Sequence, residues 1–113
     1  LSACAPSEVP LDKLLERNGI KYEINSQTPF AGVATVYYEN GQLKEKFAYK
    51  DGVENGLAEF YYENGQLKSK STFKDEKLHG LQWVYNTDGQ EYSFSPMCFQ
   101  NNKEVDISKC ESP

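Results

Sequence analysis

The chain has 113 residues, a formal net charge of −5 and 13% aromatic residues, with eight Tyr and six Phe. This length allows one domain with a modest core, and the acidic balance argues against nucleic acid as the main partner, because phosphate binding needs a basic surface. No apolar run approaches the roughly 20 residues that span a bilayer, and the aromatic content favours strands over helices.

The first four residues, LSAC, match the end of a bacterial lipoprotein signal, in which a Leu and small residues precede the Cys that receives lipid. The sequence begins at Leu rather than Met, so we expect the rest of a signal peptide upstream. Cys4 is therefore predicted to be lipidated, which would anchor the protein in the bacterial cell envelope, on its periplasmic or cell-surface side. Residues 1–10 would form the tether. The alternative is an ordinary cysteine near an arbitrary chain start.

An Asn-Gly pair opens the predicted β-structure. Asn18-Gly19 precedes alternating apolar residues from Ile20 onward, which is the pattern of a hairpin. The segment PLDKLLER just before it also fits a brief helix with Pro10 in its first turn. We favour the hairpin.

The octet YYENGQLK occurs at residues 37–44 and again at residues 61–68, 24 residues apart. A third, decaying copy follows at the same spacing, and such a fixed period indicates an array whose units bury their apolar surfaces against each other. Because Asn-Gly favours a two-residue type I′ turn, we predict hairpins turning at Asn40-Gly41, Asn64-Gly65 and Asp88-Gly89. The polar segments KDGVENG and KDEKLHG would connect them.

The predicted fold is all-β. It is an antiparallel meander of repeated 24-residue hairpins that form an extended twisted sheet over residues 11–95, followed by a C-terminal tail at residues 96–113. If Cys4 carries lipid, Cys98 and Cys110 remain to close the tail with a disulfide in an exported protein; the alternative is two reduced thiols. Two cysteines and the distant His79 are too few ligands for a metal site.

Strand alternation sorts the repeat side chains onto two faces. The face with Tyr38, Leu43 and Phe60 is predicted to be buried. The opposite face would be either a docking surface for an acidic partner or anionic lipid head groups, or a solvated face covered by lysine stems, which we favour. Its predicted members are Tyr37, Lys44, Lys46, Lys50, Tyr61, Lys68, Lys70 and Lys74.

In the third unit the two faces exchange character. Leu81, Trp83, Tyr85, Tyr92 and Phe94 are predicted on the lysine side, and such an apolar row rarely remains in water without a contact. Either the tail covers this row, which we favour, or the row binds a partner. The complete predicted contact surface is Tyr37, Lys44, Lys46, Tyr61, Lys68, Lys70, Trp83 and Tyr85.

The run NGIKYEINSQTPFAG followed by YYENGQLKEKFAYKDGVENG is similar to the MORN-variant repeat proteins, a group often labelled YwqK-type antitoxins. The resemblance covers roughly residues 14–90. It implies a repeated β-hairpin sheet and, for some members, the binding or neutralising of a partner protein. The third unit departs from the pattern, because Glu91 and Tyr92 replace the Leu and Lys of the first two units, which fits a terminal cap.

Catalysis has little support in the sequence. His79 falls in a predicted loop at the position of Asn55 one unit earlier, and no nucleophile has an evident activating base. The carboxylates show no spacing that assigns an acid and a base. We therefore predict a non-enzyme without cofactors.

The leading functional hypothesis is a lipid-anchored, protein-binding module of the bacterial envelope, with immunity or antitoxin protection as the resemblance suggests. Its protein partner is not identified by the sequence. The alternatives are a structural envelope protein that self-associates through edge strands and, less favoured, a small hydrolase with a concave pocket.

Overall fold

The computed structural model describes residues 8–110, so the predicted lipidation site at Cys4 lies outside the described residues. Two 3₁₀ helices, Leu11–Lys13 and Ile107–Lys109, and eleven strands form the regular structure of this part of the chain. The strands are β1 (Glu8–Pro10), β2 (Leu14–Arg17), β3 (Ile20–Glu23), β4 (Gly32–Tyr37), β5 (Leu43–Lys50), β6 (Val53–Tyr61), β7 (Leu67–Lys74), β8 (Lys77–Leu78), β9 (Gly80–Val84), β10 (Met97–Gln100) and β11 (Lys103–Val105).

Nine strands form one sheet in the order β1-β4-β5-β6-β7-β9-β10-β11, with β8 pairing β7. The pairings from β4 to β11 are antiparallel, so the predicted all-β meander of hairpins is confirmed. The sheet is longer than predicted at both ends. Residues 8–10, predicted as tether, run parallel to residues 33–35. Strands β10 and β11 of the predicted tail continue the sheet beyond β9.

Tight two-residue turns close the separate β2–β3 hairpin and, at one end of the main sheet, follow β5, β7 and β10. Asn18-Gly19 has φ of +53° and +80°, as the predicted type I′ turn requires. The same geometry recurs at Asp51-Gly52, Asp75-Glu76 and Asn101-Asn102. The segments KDGVENG and KDEKLHG, predicted to be connections, therefore contain hairpin turns of their own.

The repeated Asn-Gly turns at the other end are different. Only Gly41 of the first pair takes a positive φ, +91°. Its N–H donates to Tyr38 O, and the Tyr38 N–H donates to Gln42 O, which makes a three-residue loop. The Asn40 side chain accepts from the Gln42 N–H at 2.9 Å and so stabilises its own backbone locally. The type I′ prediction is therefore wrong for this turn and for its two repeats at residues 62–66 and 86–90, whose backbone hydrogen bonds are the same.

A β-bulge beside each repeated turn changes which side chains share a face. The register between β4 and β5 shifts so that Tyr37 pairs with Leu43 and Lys44 has no partner. The Lys44 ammonium instead lies 5.5 Å from the centre of the Tyr38 ring. Lys68 occupies the same bulge position between β6 and β7. The prediction that put Lys44 on the face of Tyr37, and Leu43 on that of Tyr38, is therefore wrong in both repeats.

The core lies on the face of the sheet that carries Ala34 and Tyr49, called the first face. These residues pack with Leu14 and Phe30, so the β2–β3 hairpin and the chain after it cover this face. Three backbone hydrogen bonds tie residues 21, 30 and 52 together. A Cβ at Gly52 would collide with the Ile20 side chain, so only glycine fits this junction.

The predicted disulfide between Cys98 and Cys110 is confirmed, with the two Cα atoms 5.8 Å apart. The Cys98 side chain is fully buried. Because β10 pairs edge to edge with β9, the tail lengthens the sheet and does not fold across the aromatic row as we expected. The disulfide links this last part of the sheet to the chain after the second 3₁₀ helix.

Candidate contact surface

The candidate site is the face of the sheet opposite the core, called the second face. Cross-strand pairing aligns Thr35, Lys46, Glu59, Lys70 and Trp83 in one row across five strands. Residues directly opposite each other in paired strands project on the same side. The row therefore brings together lysines and an aromatic group that are far apart in the sequence.

Lys70 and Trp83 form the most specific contact of this row. The Lys70 ammonium lies 4.9 Å from the centre of the Trp83 ring, an arrangement that is worth about 0.5 to 1 kcal/mol at exposed sites. Glu59 stands between Lys46 and Lys70, so the charges alternate along the row. The second face is thus mixed in charge rather than uniformly basic.

A shallow cavity of about 270 Å³ indents the middle of the second face. Val33, Ala48 and Leu57 line it together with Lys46 and Glu59. Leu57 is 44% exposed, which is unusual for a central strand. Leu57 belongs to no sequence motif. The alternation in GLAEFYY, however, predicts that Leu57 and Glu59 lie on the same face.

One tyrosine from each repeat also lies on this face. Tyr37 pairs with Leu43 and Tyr61 with Leu67, and Tyr85 forms an isolated bridge with Glu91. Burial, followed by the charge of Glu59 and a hydrogen bond with it, raises the pKa of Tyr61. The face therefore carries one tyrosine per repeat beside the repeated turns.

The structure brings together six of the eight predicted contact residues and separates two. Lys44 and Lys68 lie over the rings of Tyr38 and Tyr62, at 5.5 and 5.7 Å, and so belong to the first face. Each predicted row of lysines therefore loses one member, while Lys46 with Lys50 and Lys70 with Lys74 remain on the second face. The six that share the second face are Tyr37, Lys46, Tyr61, Lys70, Trp83 and Tyr85, and their role in binding stays a prediction.

The predicted aromatic row of the third unit is also divided. Tyr92 stacks on Phe94 with ring centres 5.3 Å apart. It neighbours Tyr62, whose pKa is raised by burial and then by this second phenol. Because Tyr62 belongs to the first face, Tyr92 lies there too, whereas Trp83 remains beside Lys70 on the second face.

Side chains of each repeated turn reach the backbone of the next repeat, in what we call the turn ladder. The Tyr38 hydroxyl donates to Tyr61 O at 2.6 Å, and the Asn40 amide donates to Glu63 O at 3.1 Å. One repeat later, Tyr62 donates to Tyr85 O and Asn64 to Thr87 O, at 2.8 and 3.0 Å. The second Tyr and the Asn of the repeated octet are therefore explained by contacts between repeats.

A cluster of titratable side chains, Tyr49 buried and Glu54 half-buried, lies at the opposite end of the first face. Burial raises the pKa of Tyr49 to about 12, and the charges of Glu54, Glu16 and Glu76 add to the effect. Burial and the charge of Glu76 also raise the pKa of Glu54, against the opposing charge of Lys21. These groups attach the β2–β3 hairpin to the sheet and face the core side, away from the second face.

His79 sits in the irregular stretch between β8 and β9, where its N–H donates to Thr72 O. Its Nδ1 atom is buried and has no hydrogen-bond partner. Within residues 8–110, no group of three or more His, Cys, Asp or Glu residues is placed to hold a metal ion. The same residues include no helix with the length and apolarity needed to cross a membrane.

The family described as MORN repeat variant matches residues 31–51 and 54–75. The first match covers β4, β5 and the turn between them. The second covers β6, β7 and the turn between them. Two successive hairpins of the chain are therefore similar to MORN-variant repeats. No curated protein and no solved structure shows significant similarity to it.

Proposed function

We propose that this MORN-repeat protein is a non-catalytic module that binds another protein through the second face of its sheet. The observation that carries the proposal is the exposed Leu57 in a shallow cavity, with Lys46 and Glu59 beside it. An apolar centre surrounded by charged groups is the usual arrangement of a protein interface.

The aromatic residues around this centre support the same function. Trp83, Tyr61 and Tyr85 are of the residue types that contribute most to binding energy at interfaces. Lys70, held over Trp83, adds a positive charge beside the indole ring. The partner surface that fits is an apolar patch with carboxylates at its edge, which would meet Lys46 and Lys70.

We further propose that the protein is a lipoprotein of the bacterial envelope, anchored through Cys4. The LSAC sequence supports lipidation, and the disulfide between Cys98 and Cys110 supports an oxidising compartment. The specific role that we favour is antitoxin-like or immunity protection, in which the module acts by covering its partner. Such a role requires a binding surface and no catalytic group.

A structural role based on self-association through the sheet edges has less support. The edge strand β1 has three residues and ends in Pro10, and β11 at the other edge has three residues that begin with Lys103. Short strands, proline and lysine are devices that discourage edge-to-edge pairing.

Two charge-reversal pairs test the binding surface. Lys46→Glu with Lys70→Glu changes the second face, whereas Lys44→Glu with Lys68→Glu makes the same charge change on the first face. Each protein would be used as bait in envelope extract of the source bacterium, with captured proteins identified by mass spectrometry. We expect one partner to be retained by the wild type and by the first-face pair, and to be lost by the second-face pair. Equal recovery from both pairs would overturn the proposal.

Lipid anchoring has its own test. Metabolic labelling with a palmitate analogue should mark the wild-type protein expressed with its own signal, and the Cys4→Ser variant should be unlabelled and should leave the membrane fraction. Labelling that persists in Cys4→Ser would contradict anchoring through this residue, whatever the outcome of the capture experiment.

A further inference from the structure

The turn ladder ends differently at its two ends. In the second and third repeats, the carbonyl oxygens of Tyr61 and Tyr85 each accept a phenol hydroxyl from the preceding repeat. The equivalent atom of the first repeat is Tyr37 O, since these three tyrosines are 24 residues apart. Glu39 O is likewise equivalent to Glu63 O, which accepts the Asn40 amide. The first repeat therefore carries the same two acceptors, but no MORN hairpin precedes it in the part of the chain that the structure describes.

A cavity of about 340 Å³ opens beside Tyr37, the first of these two acceptors. Three of its lining residues, at positions 35–37, are equivalent to positions 59–61 of the next repeat, where the Tyr38 hydroxyl is bound. The other side of the cavity is formed by the end of β1 and the first 3₁₀ helix. Its lining residues are Pro10, Leu11, Asp12, Thr35, Val36 and Tyr37.

The exposure of Tyr37 and the open space around Gly41 also indicate that the first repeat has a free side. Tyr37 is 56% exposed, whereas Tyr61 and Tyr85 are half-buried. A Cβ placed on Gly65 would lie 3.5 Å from the Gln42 side chain, yet one placed on Gly41 would meet nothing within 4 Å. The tyrosine, asparagine and glutamine positions of the ladder therefore all lack a counterpart before the first repeat, within residues 8–110.

The shape of this end admits a turn but not a whole hairpin. Strand β1 already pairs with residues 33–35 of β4 and so occupies that part of the sheet edge. Residues 36–39 extend beyond β1 toward the repeated turn. A partner can therefore place a side chain in the cavity and an amide against the turn. It cannot pair with residues 33–35 of β4, because β1 already does.

A second copy of this chain does not supply the matching turn. The Tyr and Asn side chains of its first two repeats already donate to the next repeat. In the third repeat the equivalent positions are Asn86 and Asp88. The Asn86 side chain accepts from the backbone of Asp88 and Gln90 and so is engaged within its own turn.

We propose that the cavity between β1 and β4 is a binding site for the tyrosine side chain of a foreign polypeptide turn. The phenol would enter between Leu11 and Val36 and donate to Tyr37 O, and an amide two residues later, as in Tyr-x-Asn, would donate to Glu39 O. The site lies at the end of the sheet and goes beyond the second-face function, because it needs neither Leu57 nor the lysine row.

The test uses a backbone-cyclised peptide with the sequence of residues 34–47, ATVYYENGQLKEKF, since an isolated hairpin is only marginally stable in water. Binding of the peptide to the protein would be followed by heteronuclear NMR and by calorimetry. We expect saturable binding with shifts confined to residues 10–12 and 35–41. A peptide with Phe in place of its second Tyr should bind about 2- to 10-fold more weakly, because it lacks one hydrogen bond.

Two protein variants complete the test. Asp12→Trp, at an exposed position on the cavity rim, should fill the cavity and abolish peptide binding, whereas Asp12→Ala should bind as the wild type does. Both should keep the wild-type melting temperature. Absence of saturable binding, shifts at β11 instead of β4, or equal binding by Asp12→Trp would each overturn the proposal. The result of this test does not depend on whether the Lys46 and Lys70 variant pair captures the second-face partner.

Discussion

Tyr37 and Tyr38 are adjacent and chemically identical, yet they have different partners. The Tyr38 hydroxyl donates to the backbone of the next repeat at 2.6 Å, while Tyr37 is mostly exposed on the second face. The same division separates Tyr61 from Tyr62 one repeat later. At the scale of the residue, the repeated octet thus combines one structural tyrosine and one that is available for contact.

Removal of a single ladder hydroxyl should therefore lower stability. Tyr62→Phe deletes the hydrogen bond to Tyr85 O, and we expect the free energy of unfolding to fall by about 1 kcal/mol. Tyr37→Phe is the matched control and should be nearly neutral, because its hydroxyl has no such partner in the repeat pattern. Chemical denaturation of both variants checks this, and an equal loss in the two would contradict the ladder.

Glu54 should make stability depend on pH. Burial and Glu76 raise its pKa in the folded protein, so the unfolded chain releases this proton at lower pH and stability is lost as pH rises through the folded-state pKa. Glu54→Gln imitates the protonated form. We expect it to melt at a higher temperature than the wild type at pH 7 and at the same temperature at about pH 4, below the ordinary carboxyl pKa. A wild type that is the more stable protein at pH 7 would contradict the burial of this carboxyl.

At the scale of the element, the sequence locates the turns well and their types poorly. The same Asn-Gly dipeptide forms a two-residue type I′ turn at residues 18–19 and part of a three-residue loop at residues 40–41. The dipeptide permits both geometries, and the register of the paired strands decides between them. The bulge that follows moves Lys44 across the sheet, which no residue pattern in the octet indicates.

Strand alternation remains reliable away from the bulges. Ala34 pairs with Phe47, and Phe47 pairs with Ala58, on the face that was predicted to be the core. Lys46 and Lys70 were likewise placed on their observed face, beside Trp83. The face that carries the core and six of the eight contact residues were therefore predictable, and the errors in face assignment lie within two residues of the repeated turns.

Phe60 tests the packing of the repeated hairpins on the first face. Its ring contacts that of Phe47 edge to face, with centres 5.5 Å apart. Since the ring is only partly buried, Phe60→Ala should cost about 2 kcal/mol, below the range for a fully buried Phe. Phe94→Ala, at a 57% exposed position, is the matched control and should cost less than about 1 kcal/mol. Thermal and urea unfolding measure both, and a neutral Phe60→Ala would refute the packing.

At the scale of the whole molecule, the disulfide was predictable from cysteine count, but the strands that it holds were not. The segment MCFQ is short, and the turn after it uses Asn101-Asn102, both with positive φ. Asparagine adopts this conformation more readily than most residues, yet the pair is a weaker signal than Asn-Gly. The tail therefore looked like a cover for the sheet and is instead its continuation.

Loss of the disulfide should destabilise the C-terminal end of the sheet. The bond joins residues 12 apart in the sequence, and closing such a loop stabilises by about 3 kcal/mol in the chain-entropy account. Cys98→Ala with Cys110→Ala should lower the free energy of unfolding by this amount in chemical denaturation. Added reductant should lower the stability of the wild type and leave the double variant unchanged. Unchanged stability of the double variant would show that β10 and β11 are held by strand pairing alone.

The two ends of the sheet are held differently, which implies an order in which the sheet opens. Strand β1 is held by pairing along three residues, whereas β10 is covalently tied to the end of the chain. Because each hairpin contacts mainly its neighbours, protection of backbone amides against hydrogen exchange should be lowest in β1, rise through β4 and reach its maximum in β6 and β7. The sheet would then open first at β1. A ligand bound in the cavity beside β1 would hold this strand in place and slow the opening.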